Sequence, residues 1–159
     1  MTQETGDEAP SASVGVHVLR VGIHWGLCDP AGIVYFPRYF ELFHQAMETW
    51  FSERLGLAYE ALIVGRKIGF PAVHTEADFR RPTRFGETVA VELRVRDTGR
   101  SSIAFDYVVR DHEPSGGVRA TGHTVCVVMD LDPDSPTFRR ALPMPDDLRA
   151  RIEAFRSQD

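Results

Sequence analysis

The stretch Trp25-Gly26-Leu27-Cys28-Asp29-Pro30-Ala31-Gly32-Ile33-Val34-Tyr35-Phe36-Pro37, with the apolar-striped run from Arg38 to Leu55 behind it, decides how this chain is read. Asp29-Pro30-Ala31-Gly32 fits a type I turn: aspartate at the first position, proline presetting φ at the second, glycine at the last. Pro37 suits the first turn of a helix. Tyr39, Phe40, Phe43, Ala46, Met47, Trp50, Phe51 and Leu55 then recur by threes and fours until Gly56 provides a stop. The run from Pro37 to Leu55 predicts a rod of about 28 Å, enough to cross the face of a sheet.

Outward from this corner the code changes. Upstream, Val14, Val16 and Val18, then Val21, Ile23 and Trp25 after a shift at Leu19, predict a strand with a bulge there. Downstream, a short helical piece over Ala58 to Gly65 precedes a series of period-two runs: Val73 to Phe79, Val89 to Val95, Ile103 to Val109, and Val118 to Asp130. Turn residues separate them at Arg81 to Gly86, Thr98-Gly99-Arg100 and Glu113 to Gly117. Leu148, Ile152 and Phe155 mark a terminal helix. The expected class is α+β, an antiparallel sheet of about five strands around one long helix. Residues 1–13 are rich in Glu, Ser, Thr, Gly and Pro and read as a disordered tail, leaving 14–159 as one domain.

Composition narrows the function. The 159 residues are 43% hydrophobic with a formal net charge of −5, and they contain no long basic run, so nucleic acid is not the expected partner. No apolar run approaches the roughly 20 residues of a membrane-spanning helix, and the polar N-terminus has no apolar core of a signal peptide. A cytoplasmic protein is expected, with Cys28 and Cys126 as free thiols. The histidines show no paired spacing suited to a metal, and no glycine-rich phosphate loop follows a strand.

Asp-Pro-x-Gly turns are common without any function, and Asp29 has that plain reading. Its chemical reading is a carboxylate one loop from a helix N-terminus. There it could attack an acyl carbon or activate a water while backbone N–H groups around Val34 to Phe36 hold the developing oxyanion. Tyr35 and Phe36 flank the turn and suit the wall of an acyl pocket.

The run Cys28-Asp29-Pro30-Ala31-Gly32-Ile33-Val34-Tyr35-Phe36-Pro37-x-Tyr39-Phe40, together with Arg81-Pro82-x-x-x-Gly86-Glu87, resembles the 4-hydroxybenzoyl-CoA thioesterase family of hotdog-fold acyl-CoA thioesterases. The resemblance implies a hotdog sheet wrapped around the helix and dimers or tetramers with active sites at the subunit interface. It also implies hydrolysis of an aryl- or short acyl-CoA thioester, with coenzyme A as part of the substrate and no separate cofactor. Asp29 would be the catalytic carboxylate, as nucleophile or as general base, and the Phe36 N–H would polarise the thioester carbonyl. His44 and Phe70 fall where relatives line the acyl pocket with polar residues, and Leu27 stands where relatives often carry an acid. His44 also has a plain reading, a core histidine satisfied by Glu48 or Glu41 one turn away. A CoA ligand calls for arginines at the rim, for which Arg96 and Arg100 lead over Arg81 and Arg84. The alternatives are an enoyl-CoA hydratase or dehydratase on the same fold, and a non-catalytic acyl-CoA-binding module.

Overall fold

A computed structural model of the chain describes residues 15–113 and 115–157, so the expected tail at 1–13 lies outside the described residues. The elements follow in the order β1 (Val16–Gly22), α1 (Arg38–Glu53), β2 (Ile68–Gly69), β3 (Ala72–Phe79), β4 (Thr88–Thr98), β5 (Ser102–Asp111), β6 (Val118–Val127), β7 (Met129–Asp130) and α2 (Asp146–Arg156). Five strands form one antiparallel sheet in the order β1-β4-β5-β6-β3, while β2 and β7 pair separately. The expected α+β plan holds: the sheet curls around α1.

Helix α1 buries Tyr39, Leu42, Phe43, Ala46, Met47, Trp50 and Phe51, the face required by the apolar spacing. Against it lie the inward residues of β5, Ile103, Phe105, Tyr107 and Val109, all buried and alternating with half-exposed neighbours. At the far end of α1 the Trp50 ring packs among Phe51, Phe105 and Phe155, the last of which comes from α2. Gly56 adopts a φ of +65°, ending the helical run where expected.

Three expectations require correction. β1 pairs with β4 in unbroken register from Val16 to Gly22, so no bulge occurs at Leu19; the helix-facing residue is His17, whose Nε2 lies 2.8 Å from Thr49 Oγ1. The shifts in register lie instead at Val73, Arg96 and near Arg110. The last strand divides at Val128 into β6 and β7, because β7 leaves the main sheet to pair with β2. His44 is exposed rather than buried, since it stands on the side of α1 that faces the open edge of β3.

Candidate active site

The corner between β1 and α1 is a small folded hairpin. Gly32 N–H donates to the Asp29 carbonyl at 2.9 Å, closing the expected turn, and Asp29 Oδ1 accepts from Ala31 N–H at 2.8 Å. Asp29 N–H to Ile33 O and Tyr35 N–H to Leu27 O, both 2.9 Å, zip the two arms together, and Phe36 follows the second of these rungs. His24 Nδ1 accepts from Gly26 N–H at 3.1 Å, so this histidine serves the preceding 3-10 turn.

The N–H groups around the helix mouth are nearly all spent. Those of Val34 and Tyr35 bond to Thr83 O and Leu27 O, and those of Arg38, Tyr39 and Phe40 bond back to residues 35, 36 and 37. Pro37 has none to give. The Phe36 N–H alone in this series donates to no acceptor among the described residues, and it stands at the positive end of α1.

The loop Arg81 to Glu87 is the brace of the corner. Val34 N–H donates to Thr83 O at 2.8 Å and Phe85 N–H to Gly32 O at 2.9 Å. Glu87 accepts from Arg84 N–H and from Arg119 Nη1, at 2.8 and 2.9 Å. Arg119, on β6, also donates to Pro82 O and to Asp111, which Arg81 reaches at 2.7 Å. The guanidinium groups of Arg81 and Arg119 hold the Asp111 carboxyl down at about 2. The Arg-Pro-x-x-x-Gly-Glu motif thus works as a staple; Arg119 carries no local signal that would single it out.

Two cavities run along α1 beside the β3 edge. One, about 300 Å³, has Phe36, Tyr39, Phe79, Arg80 and Arg81 on its walls. The second, about 240 Å³, lies one to three turns further along the helix and is walled by Phe40, Phe43, His44, Phe70, Thr124 and Cys126. His44 and Phe70 therefore meet in one slot. The His44 ring stands edge-on to Tyr59 at 5.9 Å and hydrogen-bonds neither Glu41 nor Glu48. Thr75 and Thr124 hydroxyls pair at 2.9 Å within it, and burial pushes the Cys126 thiol up to about 11, an inert wall residue. Tyr35 and Phe36 are exposed and touch edge-to-face at 5.4 Å.

Within this chain Arg96 and Arg100, the arginines expected at the rim, lie at the other end of the sheet from Asp29. Gly22 pairs with Thr88, so the Asp29 corner sits at the start of β4, whereas Arg96 lies eight residues further on, roughly 26 Å at strand spacing, and Arg100 beyond it. Arg96 is tied to Asp106 at 2.8 Å on the outer side of the sheet. Within one protomer neither joins Asp29. Arg80, which spacing did not single out, is exposed beside Phe36 with its side chain unpaired among the described residues. Among the described residues, no group of three or more His, Cys, Asp or Glu is placed to hold a metal, and no helix is long and apolar enough to cross a membrane.

Known proteins share this arrangement. A 1,4-dihydroxy-2-naphthoyl-CoA hydrolase of Synechococcus elongatus is 31% identical over 129 residues, 80% of this chain and 88% of that protein. The crystal structure of a 1,4-dihydroxy-2-naphthoyl-CoA thioesterase from Synechocystis superposes with a TM-score of 0.75 at 25% identity, covering 87% of this chain and 96% of that one. The 4-hydroxybenzoyl-CoA thioesterase of Pseudomonas sp. strain CBS-3 matches with a TM-score of 0.75 at 25% identity over 87% and 99% of the two chains. Residues 23–152, from just after β1 into α2, match the thioesterase-like superfamily, and with the turn, the helix mouth and four of the five strands of the main sheet in that span, the chain belongs to this family.

Proposed function

We propose that this protein hydrolyses an aryl- or short acyl-CoA thioester to the free acid and CoA, with the chemistry at the Asp29 corner. The observation that carries the reading is the spare Phe36 N–H at the positive end of α1, on the wall of an apolar cavity and on the same hairpin whose turn carries Asp29. A thioester carbonyl oxygen placed on that N–H gains most as it becomes an oxyanion. Asp29 has one oxygen committed to Ala31 and the other available.

Two routes use that oxygen. As nucleophile, Asp29 adds to the carbonyl carbon, the C–S bond breaks, CoA leaves as the thiolate and takes a proton, and water then cleaves the mixed anhydride to acid and carboxylate. As general base, Asp29 takes a proton from water as the water oxygen attacks, and collapse of the tetrahedral adduct expels CoA. The relatives named above act on hydroxylated aryl thioesters, and the walls of Phe40, Phe43 and Phe70 suit a flat ring. A hydratase reading has less behind it, since neither His24 nor His44 hydrogen-bonds Asp29.

The edge strand β3 is exposed along nearly its whole length, and Val73, Phe79 and Phe36 beside it are 62%, 49% and 59% exposed. An open apolar edge of this kind invites pairing with a second copy, which would lie along both cavities and complete their outer walls. A homodimer, or a tetramer of such pairs, is the assembly we propose.

The test is thiol release from benzoyl-, hydroxybenzoyl-, phenylacetyl- and aliphatic CoA esters by wild type and Asp29→Asn. At least one ester should be cleaved, and the variant should be slower by about 10²-fold or more. No cleavage of any ester, or a variant as fast as wild type, refutes the assignment.

A further inference from the structure

β6 has a glycine in its middle at Gly122, directly opposite Tyr107 of β5 in the strand register. A glycine inside a strand weakens it unless another group needs the space. Here the group is Phe43 of α1, whose ring stacks on Tyr107 with centroids 4.6 Å apart and planes 14° from parallel. A Cβ built on Gly122 would meet the Phe43 ring at 2.3 and 2.5 Å. The φ of Gly122 is not in the left-handed region, so the backbone itself would accept alanine. The three atoms nearest such a side chain all belong to the Phe43 ring.

That ring is also a wall of the slot shared with Phe40, His44, Phe70 and Cys126. We infer that Gly122 is a specificity-determining residue: its missing side chain lets Phe43 lie against β6 and so leaves the slot wide enough for a ring-bearing acyl group. An added methyl group must move the ring by more than about 1 Å to restore ordinary carbon contacts near 3.5 Å. With β5 and β6 behind the ring, the free direction is into the slot. The same substitution leaves the Asp29 turn and the Phe36 N–H untouched. This inference rests on the reading that the slot receives the acyl part of a CoA ester.

The test uses thioether analogues that cannot be hydrolysed, S-benzyl-CoA and S-methyl-CoA, titrated calorimetrically into the full chain. Wild type should bind both. Gly122→Ala should bind the benzyl analogue at least tenfold more weakly while binding the methyl analogue within about twofold of wild type. Adding Phe43→Leu to Gly122→Ala, which removes the clashing ring atoms, should recover most of the benzyl affinity. Phe43→Leu in the native background, which does not depend on the folding of the alanine variant, should tighten S-(2-naphthylmethyl)-CoA relative to S-benzyl-CoA. Equal losses for both analogues, no recovery in the double variant, or an unchanged naphthyl-to-benzyl ratio overturns the inference and leaves the thioesterase reading standing. Wild type that binds neither thioether overturns both.

Discussion

Tyr39 Oη donates to Thr83 Oγ1 at 3.0 Å in a site where both residues are almost wholly buried, 4% and 1% exposed. The bond joins residues 44 apart, one in the first turn of α1 and one in the brace loop, and Thr83 O at the same time accepts the Val34 N–H. Thr83 therefore grips both the helix mouth and the strand that feeds it. The position of the Phe36 N–H, held between Tyr35 and Pro37, follows from these two grips.

Thr83→Val keeps the shape and removes the acceptor, leaving the Tyr39 hydroxyl buried without a partner. A loss of about 1–3 kcal/mol is expected by urea denaturation. Tyr39→Phe should cost less, because it removes the donor and leaves only an under-used acceptor oxygen, which is cheaper to bury than an unpaired donor. The double variant should recover part of the Thr83→Val loss, since it removes both polar partners. Strictly additive effects of the two changes would show that the bond does not couple helix and loop.

His17 gives the protein a stability that depends on pH near neutrality. Burial under α1 pushes its imidazole below the ordinary value of 6.5; Glu53 opposes the shift and Arg54 adds to it. The folded chain thus keeps His17 neutral, paired with Thr49, while the unfolded chain takes up a proton near pH 6.5. The contribution is complete above that pH and is lost as the pH falls toward the folded value. His17→Gln keeps a hydrogen-bonding side chain and removes the titration. The decline of the urea midpoint between pH 7 and pH 5 should be shallower in the variant, and identical slopes would falsify this account.

The brace should fail in more acidic solution. Asp111 is held down at about 2, by Arg81 first and then Arg119, and Glu87 is lowered by the Arg84 N–H and by Arg119. Unfolded carboxyls bind protons near pH 4. Stability from these groups is therefore present above pH 4 and lost as the pH falls toward 2. Asp111→Asn should reduce stability at pH 7 and flatten the midpoint curve between pH 4.5 and 2.5. Arg119→Met should do the same more strongly, because Arg119 serves Asp111, Glu87 and Pro82 at once. A curve as steep as that of wild type in both variants would remove the brace from the explanation.

How far this site was readable from the chain depends on the range of the forces involved. The Asp29 turn and the stripe of α1 are local: proline, glycine and a period near 3.6 act within a few residues, and both formed where expected. The faces of the strands followed from alternation at β4 and β5, whereas the order did not, since β3 pairs with β6 across the sheet instead of with its successor β4. The features that local patterns do not determine are those set by distant partners. The breaks in register fall at Val73, Arg96 and near Arg110, not at Leu19, because each belongs to the pairing of a strand with a partner distant in sequence or across a hairpin. Arg96 is remote from Asp29 because antiparallel pairing sends the two ends of β4 to opposite sides of the sheet. His44 is exposed because the stripe it joins runs past the last strand into the open edge. A signal did exist for Gly122, a glycine inside an apolar strand, but its meaning depends on Phe43, 79 positions earlier.

The same geometry separates the arginines. Arg80 lines the cavity of Phe36, and Arg100 sits at the β4–β5 turn, the far end of the sheet. If the CoA phosphates lie beside the protomer that cleaves the ester, Arg80→Met should raise KM severalfold at constant kcat and Arg100→Met should change neither. The opposite pattern would support Arg100, expected at the rim from the sequence, and would mean that the phosphates reach the far end of a second copy.

The edge of β3 provides the last prediction. Val73 stands out of register in β3, 62% exposed, and lies close to Ala72 and Thr75 on the wall of the slot. Its bulged position leaves its side chain free of the β6 pairing, so a change there acts on what meets the edge more than on the sheet itself. Val73→Lys would set equal charges against each other across a two-fold edge contact, a device by which edge strands resist pairing. Sedimentation velocity should show wild type as a dimer or larger and the variant shifted toward monomer, with an unchanged urea midpoint extrapolated to low protein concentration. Activity should fall with the monomer fraction and recover as concentration rises, because the slot lacks its outer wall in the monomer. A variant that dissociates while keeping full activity would place every necessary group within one chain, and a wild type that sediments as a monomer would remove the second copy from the site altogether.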